Sequence, residues 1–172
     1  MKEFNVPENL LTNLRKLLEV EYKFYQDLEN LLIEERNALV EVNNETLTNI
    51  NFQKESLLIN IVEVKNKRSE LLKEISLLIG VETDDITLTF LASNFSKYSK
   101  IFYDFKVKFK KIGNKIKSLN EINKHVIDSS LQFIKSSLNI MFQSSKKAVY
   151  TNYGKVSVNH GFSGTRLYSQ KV

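Results

Sequence analysis

The sequence contains no cysteine, one proline and five glycines among its 172 residues, and its two histidines are His125 and His160. Without cysteine, a disulfide framework, a thiolate metal site and a cysteine nucleophile are all excluded. Two histidines are too few for a histidine-built metal centre or a relay of several imidazoles. The scarcity of glycine and proline argues against a loop-rich or β-rich fold. The length corresponds to about one domain.

Long apolar runs are also absent. The longest strictly apolar stretches are three or four residues, whereas a membrane-spanning helix needs roughly 20. No apolar segment follows a basic region at the N-terminus, so no export signal is predicted. We therefore expect a soluble, cytoplasmic protein without stable membrane insertion.

The net charge of +5 is distributed unevenly. Residues 1–85 carry 10 basic and 17 acidic side chains (net −7), and residues 86–145 carry 10 basic and 3 acidic side chains (net +7). The last 27 residues hold five basic side chains and no acidic one. Opposite charge on the two halves favours their pairing within one body, even where each exposed pair is weak. The sequence thus predicts a neutral body with a basic tail.

Apolar residues recur with helical spacing from Pro7 to Val42. Thirteen of fifteen positions in three adjacent heptad columns are apolar, and the exceptions are Glu21 and Glu35. This wide stripe predicts a helix that buries one face, with Pro7 in its first turn. Asn43 and Asn44 suit a turn or cap at its end.

A second stripe runs from residue 47 to residue 78. Eight of its ten positions are apolar, and the exceptions are Lys54 and Arg68. Gly80 is predicted to end this helix in the left-handed conformation. Thr83, Asp84 and Asp85 (83–85) are predicted to form a turn and to cap the next element. Residues 86–94 alternate like a strand but also suit a short helix, which we favour because a lone strand has no partner here.

A third stripe predicts a helix from about Ser96 to Ser145. Gly113 costs it about 1 kcal/mol relative to alanine and is the candidate position for a bend. The predicted fold is all-α: an elongated antiparallel helical bundle or coiled coil of three long helices plus a short helix. Residues 1–145 form this body, and residues 146–172 form a flexible basic C-terminal tail. Long helices with few residues between them do not build a deep pocket.

No catalytic constellation emerges, so we predict no enzyme, no cofactor and no metal. Adjacent carboxylates such as Glu34 and Glu35 are interpreted as solvated charge. Glu121 and His125, four residues apart, are too few ligands for a metal and are interpreted as a helix pair. Eight lysines lie within residues 97–117, where nucleic-acid binding would use them electrostatically. Because the acidic surplus of the first two helices balances these lysines, we predict no nucleic-acid partner.

The predicted lengths of the second and third long helices differ. Residues 46–80 make 35 residues and residues 96–145 make 50, so from a shared turn the longer helix extends about 15 residues further, about 22 Å at 1.5 Å per residue. The extension falls near residues 131–145, which are apolar around most of the helix and expect burial. Either the first helix or residues 86–94 covers it, or it takes an amphipathic helix of a partner.

The order of these features resembles the FlgN family of flagellar export chaperones. The resemblance covers nearly the whole chain. It rests on LENLL and ERNAL at residues 28–32 and 35–39, KESLL at residues 54–58, the long last helix, and YTNYGKV at residues 150–156. The last segment is similar to a family signature of tyrosine, three residues, glycine, a basic and an aliphatic residue.

The resemblance implies a cytoplasmic chaperone that binds hook–filament junction (hook-associated) proteins, prevents their premature assembly and delivers them to the type III export gate. The C-terminal part of the long helix would hold the substrate's terminal helix. This part of the helix coincides with the apolar extension predicted from the helix lengths, and we expect the substrate groove to consist of Leu131, Ile134, Leu138, Met141 and Phe142. Tyr150 is the tyrosine implied to dock at the gate, with Tyr153 second and Gly154 beside it.

Two other functions remain open from the residues alone. The first is a structural coiled coil that self-associates through the same apolar extension and has no chaperone activity. The second is a nucleic-acid binder that uses the lysine-rich helix, which salt-dependent binding to DNA would reveal.

Overall fold

The computed structural model describes Phe4 and residues 6–144, the last four as backbone only. Four α-helices follow one another: α1 (Glu8–Val40), α2 (Asn44–Ile79), α3 (Leu88–Asn94) and α4 (Ser99–Ser144). Short 3-10 turns precede α3 and α4, at Thr83–Asp85 and Ser96–Tyr98. Within this range there is no strand, and the predicted all-α fold of three long helices and one short helix is confirmed.

The described residues divide into two units, which separate within α4 between Asp128 and Ser129. The predicted boundary between body and tail, at residues 145 and 146, and the predicted tail (146–172) lie outside the described residues and stay predictions. α2 has 36 residues and α4 has 46. Their lengths therefore differ by ten residues rather than about 15.

A short turn joins α1 to α2. The Asn43 N–H donates to Ala38 O at 3.0 Å and the Val42 N–H to Leu39 O at 3.4 Å, the pair of bonds that defines a Schellman motif. Val42 occupies the left-handed position of this motif at φ 55°, which glycine normally fills because it has no Cβ. Asn43 then caps α2, accepting from the Thr46 N–H at 3.1 Å, so the predicted asparagine cap is confirmed.

The predicted end of α2 at Gly80 is also confirmed. Gly80 has φ 68°, and its N–H donates to Ser76 O at 2.9 Å. The predicted cap of α3 is wrong, because residues 83–85 form their own 3-10 turn. Thr87 caps α3 instead, where its Oγ1 accepts from the Phe90 N–H at 3.1 Å. The predicted short helix in residues 86–94 is confirmed as α3.

Two clusters of buried side chains hold the three long helices together. The first joins the N-terminal half of α1 to Ile75 of α2, to Leu91 of α3, and to the start of α4, where Phe102 is fully buried. The second joins the C-terminal half of α1 to the N-terminal half of α2, and Ile116 and Leu119 of α4 pack against it. The short α3 thus closes one end of the first unit, next to the N-terminus of α1.

The charged exceptions in the apolar stripes pair with one another. Arg68 Nε lies 2.8 Å from Glu21 Oε2, and Lys54 Nζ lies 2.6 Å from Glu35 Oε1. The residue numbers of each pair add to 89, as an antiparallel α1–α2 hairpin requires. Glu21 and Glu35 are both buried. Because a buried carboxylate without its cation is costly, these two pairs define one register of α2 on α1.

Asn123 connects α4 to the same layer. Its Nδ2 donates to Glu35 Oε2 and to Leu32 O, each at 2.9 Å. Tyr22 and Tyr25 of α1 meet Phe109 of α4 edge to face, with ring centroids 5.9 Å apart in both pairs. In these contacts, higher residue numbers in α1 meet higher residue numbers in α4. The helix α4 therefore runs parallel to α1 and antiparallel to α2.

Candidate binding surfaces

The last turns of α4 expose large apolar side chains. Leu131, Ile134 and Leu138 are 49%, 52% and 45% exposed. Their spacing of three and four residues places them on one face of the helix. Phe133 and Ile140 lie off that face and are more exposed still. An apolar surface on several sides of one helix is typical of a protein-binding segment.

Not every predicted site residue falls within the described side chains. Met141 and Phe142 lie in α4, where only their backbone is described, and Tyr150, Tyr153 and Gly154 lie outside the described residues. The predicted groove is thus represented by Leu131, Ile134 and Leu138 only.

The alternative in which residues 86–94 or the first helix covers residues 131–145 stays a prediction. Ile86 and Leu91 are buried in the first cluster, together with Leu10 and Leu14. In the second unit, Leu131 and its apolar neighbours up to residue 140 have exposed side chains. Residues 86–94 thus have apolar contacts of their own within the first unit.

The lysines of α4 and its preceding turn are only partly balanced by acidic neighbours. Lys97 forms an ion pair with Glu8, and Lys115 Nζ lies 2.6 Å from Glu29 Oε1. The hydrogen bond and the charge of Glu29 hold the pKa of Lys115 above its ordinary value of 10.5. Lys108 instead lies over the rings of Tyr22 and Phe105, 5.6 Å from each centroid.

The remaining lysines in residues 97–117 form no ion pair with a described acidic side chain. They are Lys100, Lys106, Lys110, Lys111 and Lys117. The net charges of the two halves of the chain therefore cancel in composition, but only a few ion pairs join the acidic half to the lysines of residues 97–117. A positively charged surface remains on α4.

An open groove lies between α2 and α4, with α1 at its base. Its volume is about 410 Å³, and its apolar lining includes Leu18, Tyr25, Phe109, Ile112 and Ile116. Gly113 belongs to the lining and lies within α4, which continues through it as α-helix. A Cβ added at Gly113 would meet no atom within 4 Å. Sequence reasoning treated this glycine only as a possible bend and missed the groove.

No group of three or more His, Asp or Glu side chains between Phe4 and Ser144 is arranged to hold a metal ion. None of the helices within that range is long and apolar enough to cross a membrane.

The chain matches the model of one protein family, described as FlgN protein, over residues 1–157. The chain belongs to the FlgN family. FlgN proteins are flagellar export chaperones, and this assignment covers both the helical body and the YTNYGKV segment. No curated protein and no solved structure matches the chain. The FlgN match confirms the resemblance inferred from the motifs.

Proposed function

We propose that this FlgN protein binds hook-associated proteins of the hook–filament junction in the cytoplasm, prevents their premature assembly and delivers them to the type III export gate. Membership of a flagellar export chaperone family supports the general activity. The observation that carries the finer proposal is the exposed apolar face of Leu131, Ile134 and Leu138.

The proposed substrate surface continues from these three residues to Met141 and Phe142. Spacings of three and four residues along 131–142 give one helix face. Such a face suits the apolar side of a terminal helix of a junction protein, held through anchors at i, i+3, i+4 and i+7. When a partner removes this exposed apolar area from water, the hydrophobic effect stabilises the complex.

The test replaces Leu138 and Met141 by Glu together. We expect pulldown of purified junction proteins to be lost while helical content, measured by circular dichroism, is unchanged. A matched control replaces Phe52 and Ile59 of α2 by Glu, since these side chains are 72% and 68% exposed. Unchanged binding by the first variant, or equal loss in the control, contradicts the assignment.

Delivery to the gate is proposed to use Tyr150, with Tyr153 and Gly154 beside it. Tyr150→Ala is expected to leave binding of the junction proteins intact and to reduce their secretion into the medium. Tyr168→Ala changes a tail tyrosine outside the YTNYGKV segment and serves as the control. Loss of substrate binding in Tyr150→Ala would contradict this division between binding and docking.

A second candidate is a structural coiled coil that self-associates through the apolar end of α4. Phe133 and Ile140 are exposed and lie off the proposed substrate face. They give this end of α4 a second apolar face through which copies of the chain could associate. Light scattering separates the two functions. The chaperone is expected to be a monomer that forms a one-to-one complex with a junction protein, and a stable homo-oligomer that ignores junction proteins indicates the coiled coil.

A further inference from the structure

The groove between α2 and α4 has an apolar interior that no described side chain fills. Tyr25 and Phe109 meet edge to face at its base, and Ile112 and Ile116 form its α4 wall. Gly113 lies between these two isoleucines in the sequence and supplies no side chain. Because an added Cβ there meets nothing within 4 Å, the missing side chain leaves the groove open.

Lysines of α4 and α2 lie beside the groove, and their positions are called its rim. Among the described residues, Lys65 of α2 is the one lysine in the groove's lining, and the α4 lysines are assigned to the rim from their helical spacing. On α4, Lys106, Lys110 and Lys117 lie seven and three residues before Gly113 and four residues after it, which places all three on the same helix stripe as the glycine. All four lysines are exposed, and none forms an ion pair with an acidic side chain of the described residues.

The charge inside the groove differs from the charge at its rim. Arg68 and Glu21 both line the groove, but they neutralise each other through the 2.8 Å Nε–Oε2 contact. The interior therefore offers apolar surface without net charge, and the rim offers positive charge without a partner. This arrangement complements an amphipathic helix that has apolar residues along one face and acidic residues on both sides of it.

Other occupants fit less well. The chain's own last 27 residues carry five basic side chains and no acidic one, so the rim repels them. A nucleic acid would satisfy the lysines but would leave the apolar interior unused, and every basic residue of α4 is a lysine, without the planar fork of arginine that reads base edges. Two α-helices with a third at the base are, by contrast, the usual surroundings of a fourth packed helix.

We propose that the groove between α2 and α4, centred on Gly113, binds an acidic amphipathic helix of a partner protein. The site lies within residues 1–128 and does not depend on the junction-protein surface proposed for residues 131–142. It gives this chaperone a second protein-binding surface, one that selects for negative charge.

The test uses a fluorescein-labelled 22-residue peptide with Leu at i, i+3, i+4 and i+7 positions and Glu at most others. Fluorescence anisotropy with the full chain is expected to show binding that weakens at least fivefold between 50 and 300 mM NaCl, because exposed charges are screened. Two matched peptides carry Lys in place of Glu, or Ser in place of Leu. Both are expected to bind at least tenfold more weakly.

Gly113 supplies the decisive pair of variants. Alanine and leucine both have a higher helix propensity than glycine, so Gly113→Ala and Gly113→Leu are each expected to keep α4 intact. The alanine variant is expected to bind the peptide within twofold of the unmodified chain. The leucine variant extends a side chain into the groove and is expected to lose at least tenfold in affinity. A Lys106→Glu, Lys110→Glu variant, which leaves the interior unchanged, is expected to lose a similar factor.

Several outcomes would overturn the proposal. They are equal affinity in Gly113→Leu, equal binding of the Lys peptide, absence of binding by the acidic peptide, and displacement of the peptide by a 22-base-pair DNA as effectively as by unlabelled peptide. A dimer in sedimentation that Gly113→Leu converts to monomer would assign the groove to a second copy. Loss of peptide binding in the Leu138→Glu, Met141→Glu variant would move the site to the end of α4. If that variant loses junction proteins but keeps the peptide, the two sites are separate.

Discussion

The Glu35–Lys54 pair gives a sharp test of how α1 and α2 keep their register. The Glu35 side chain is 10% exposed, and the Lys54 side chain is 20% exposed. Lys54→Met removes the cation and leaves the Glu35 carboxylate with a single amide donor, Asn123 Nδ2 at 2.9 Å. Breaking a buried ion pair from one side costs about 3–5 kcal/mol. Because both side chains retain some solvent contact, we expect about 3 kcal/mol.

The matched variant replaces both partners, Glu35→Met with Lys54→Met. No buried charge is then left alone, and Asn123 keeps its bond to Leu32 O at 2.9 Å. Replacement of a whole buried pair by apolar residues is often neutral or stabilising. The double variant is therefore expected to regain most of the stability that Lys54→Met loses.

Urea unfolding followed by circular dichroism at 222 nm measures both variants. In a thermal melt, about 3 kcal/mol corresponds to a Tm lowered by about 6–12 °C at this chain length. A loss below about 1 kcal/mol in Lys54→Met, or a double variant no more stable than the single one, would refute the argument that the buried charge needs its partner.

Two further predictions concern the α1–α2 turn and the end of the first unit. Val42→Gly is expected to raise stability by about 1 kcal/mol, because glycine adopts the φ of 55° without a Cβ penalty. Val40→Gly, at the last residue of α1, is expected to lower stability in the same thermal melt because glycine loses more backbone freedom in a helical conformation. The opposite order of the two variants would contradict the backbone argument. The Glu8–Lys97 hydrogen bond and its charges lower the pKa of Glu8 below 4.5 and raise the pKa of Lys97 above 10.5. The Tm difference between the unmodified chain and Lys97→Met is therefore expected to be constant from about pH 5 to pH 10. It shrinks as the pH falls through the lowered pKa of Glu8, and also as it rises through the raised pKa of Lys97, so a difference independent of pH would refute the pair.

Local chemistry made most of the helix boundaries predictable from the sequence. Gly80 and Asn43 have backbone and side-chain properties that suit few positions other than helix ends, and both lie where they were expected. The turn at Val42 was not predictable in this way, since a β-branched residue rarely adopts positive φ. Its conformation is imposed by the Schellman bonds from Asn43 and Val42 that close α1 against α2.

The polar interior could also have been predicted from the sequence. Glu21, Glu35, Lys54 and Arg68 interrupt two apolar stripes. The residue numbers of Glu21 and Arg68 add to 89, as do those of Glu35 and Lys54, so one antiparallel hairpin centred between residues 44 and 45 pairs both acids with both bases. That arithmetic would have predicted both ion pairs. The partner of Asn123 was beyond such reasoning, because it depends on how far α4 slides along α1.

Of the two candidate sites, one could be predicted from the sequence and the other could not. An exposed apolar helix end follows from composition, so Leu131, Ile134 and Leu138 could be chosen without a structure. The groove at Gly113 could not, because it exists only where three helices leave a space that no side chain fills. The lysines of residues 97–117 are predicted from the sequence to be balanced by the acidic half of the chain, and only the packed structure shows which of them lack an acidic partner.

The parallel alignment of α1 and α4 has a consequence for how the chain folds as it is made. Hydrogen bonds between α1 and α2 join residues that are 19 and 47 positions apart in the sequence. Those between α1 and α4 join residues that are 86 to 91 positions apart. Each of the α1–α4 contacts closes a loop of nearly the same length. The first contact to form therefore carries most of the entropic cost of loop closure, and the later ones add little to it. We therefore expect the α1–α2 hairpin to form before the part of α4 in the first unit docks onto it. After α2 ends at Ile79, 49 further residues reach Asp128, the last residue of the first unit. Their synthesis takes about 2–10 s at about 5–20 residues per second. During that interval the face of α1 that α4 later covers is open to water, so we expect the nascent hairpin to be prone to aggregation.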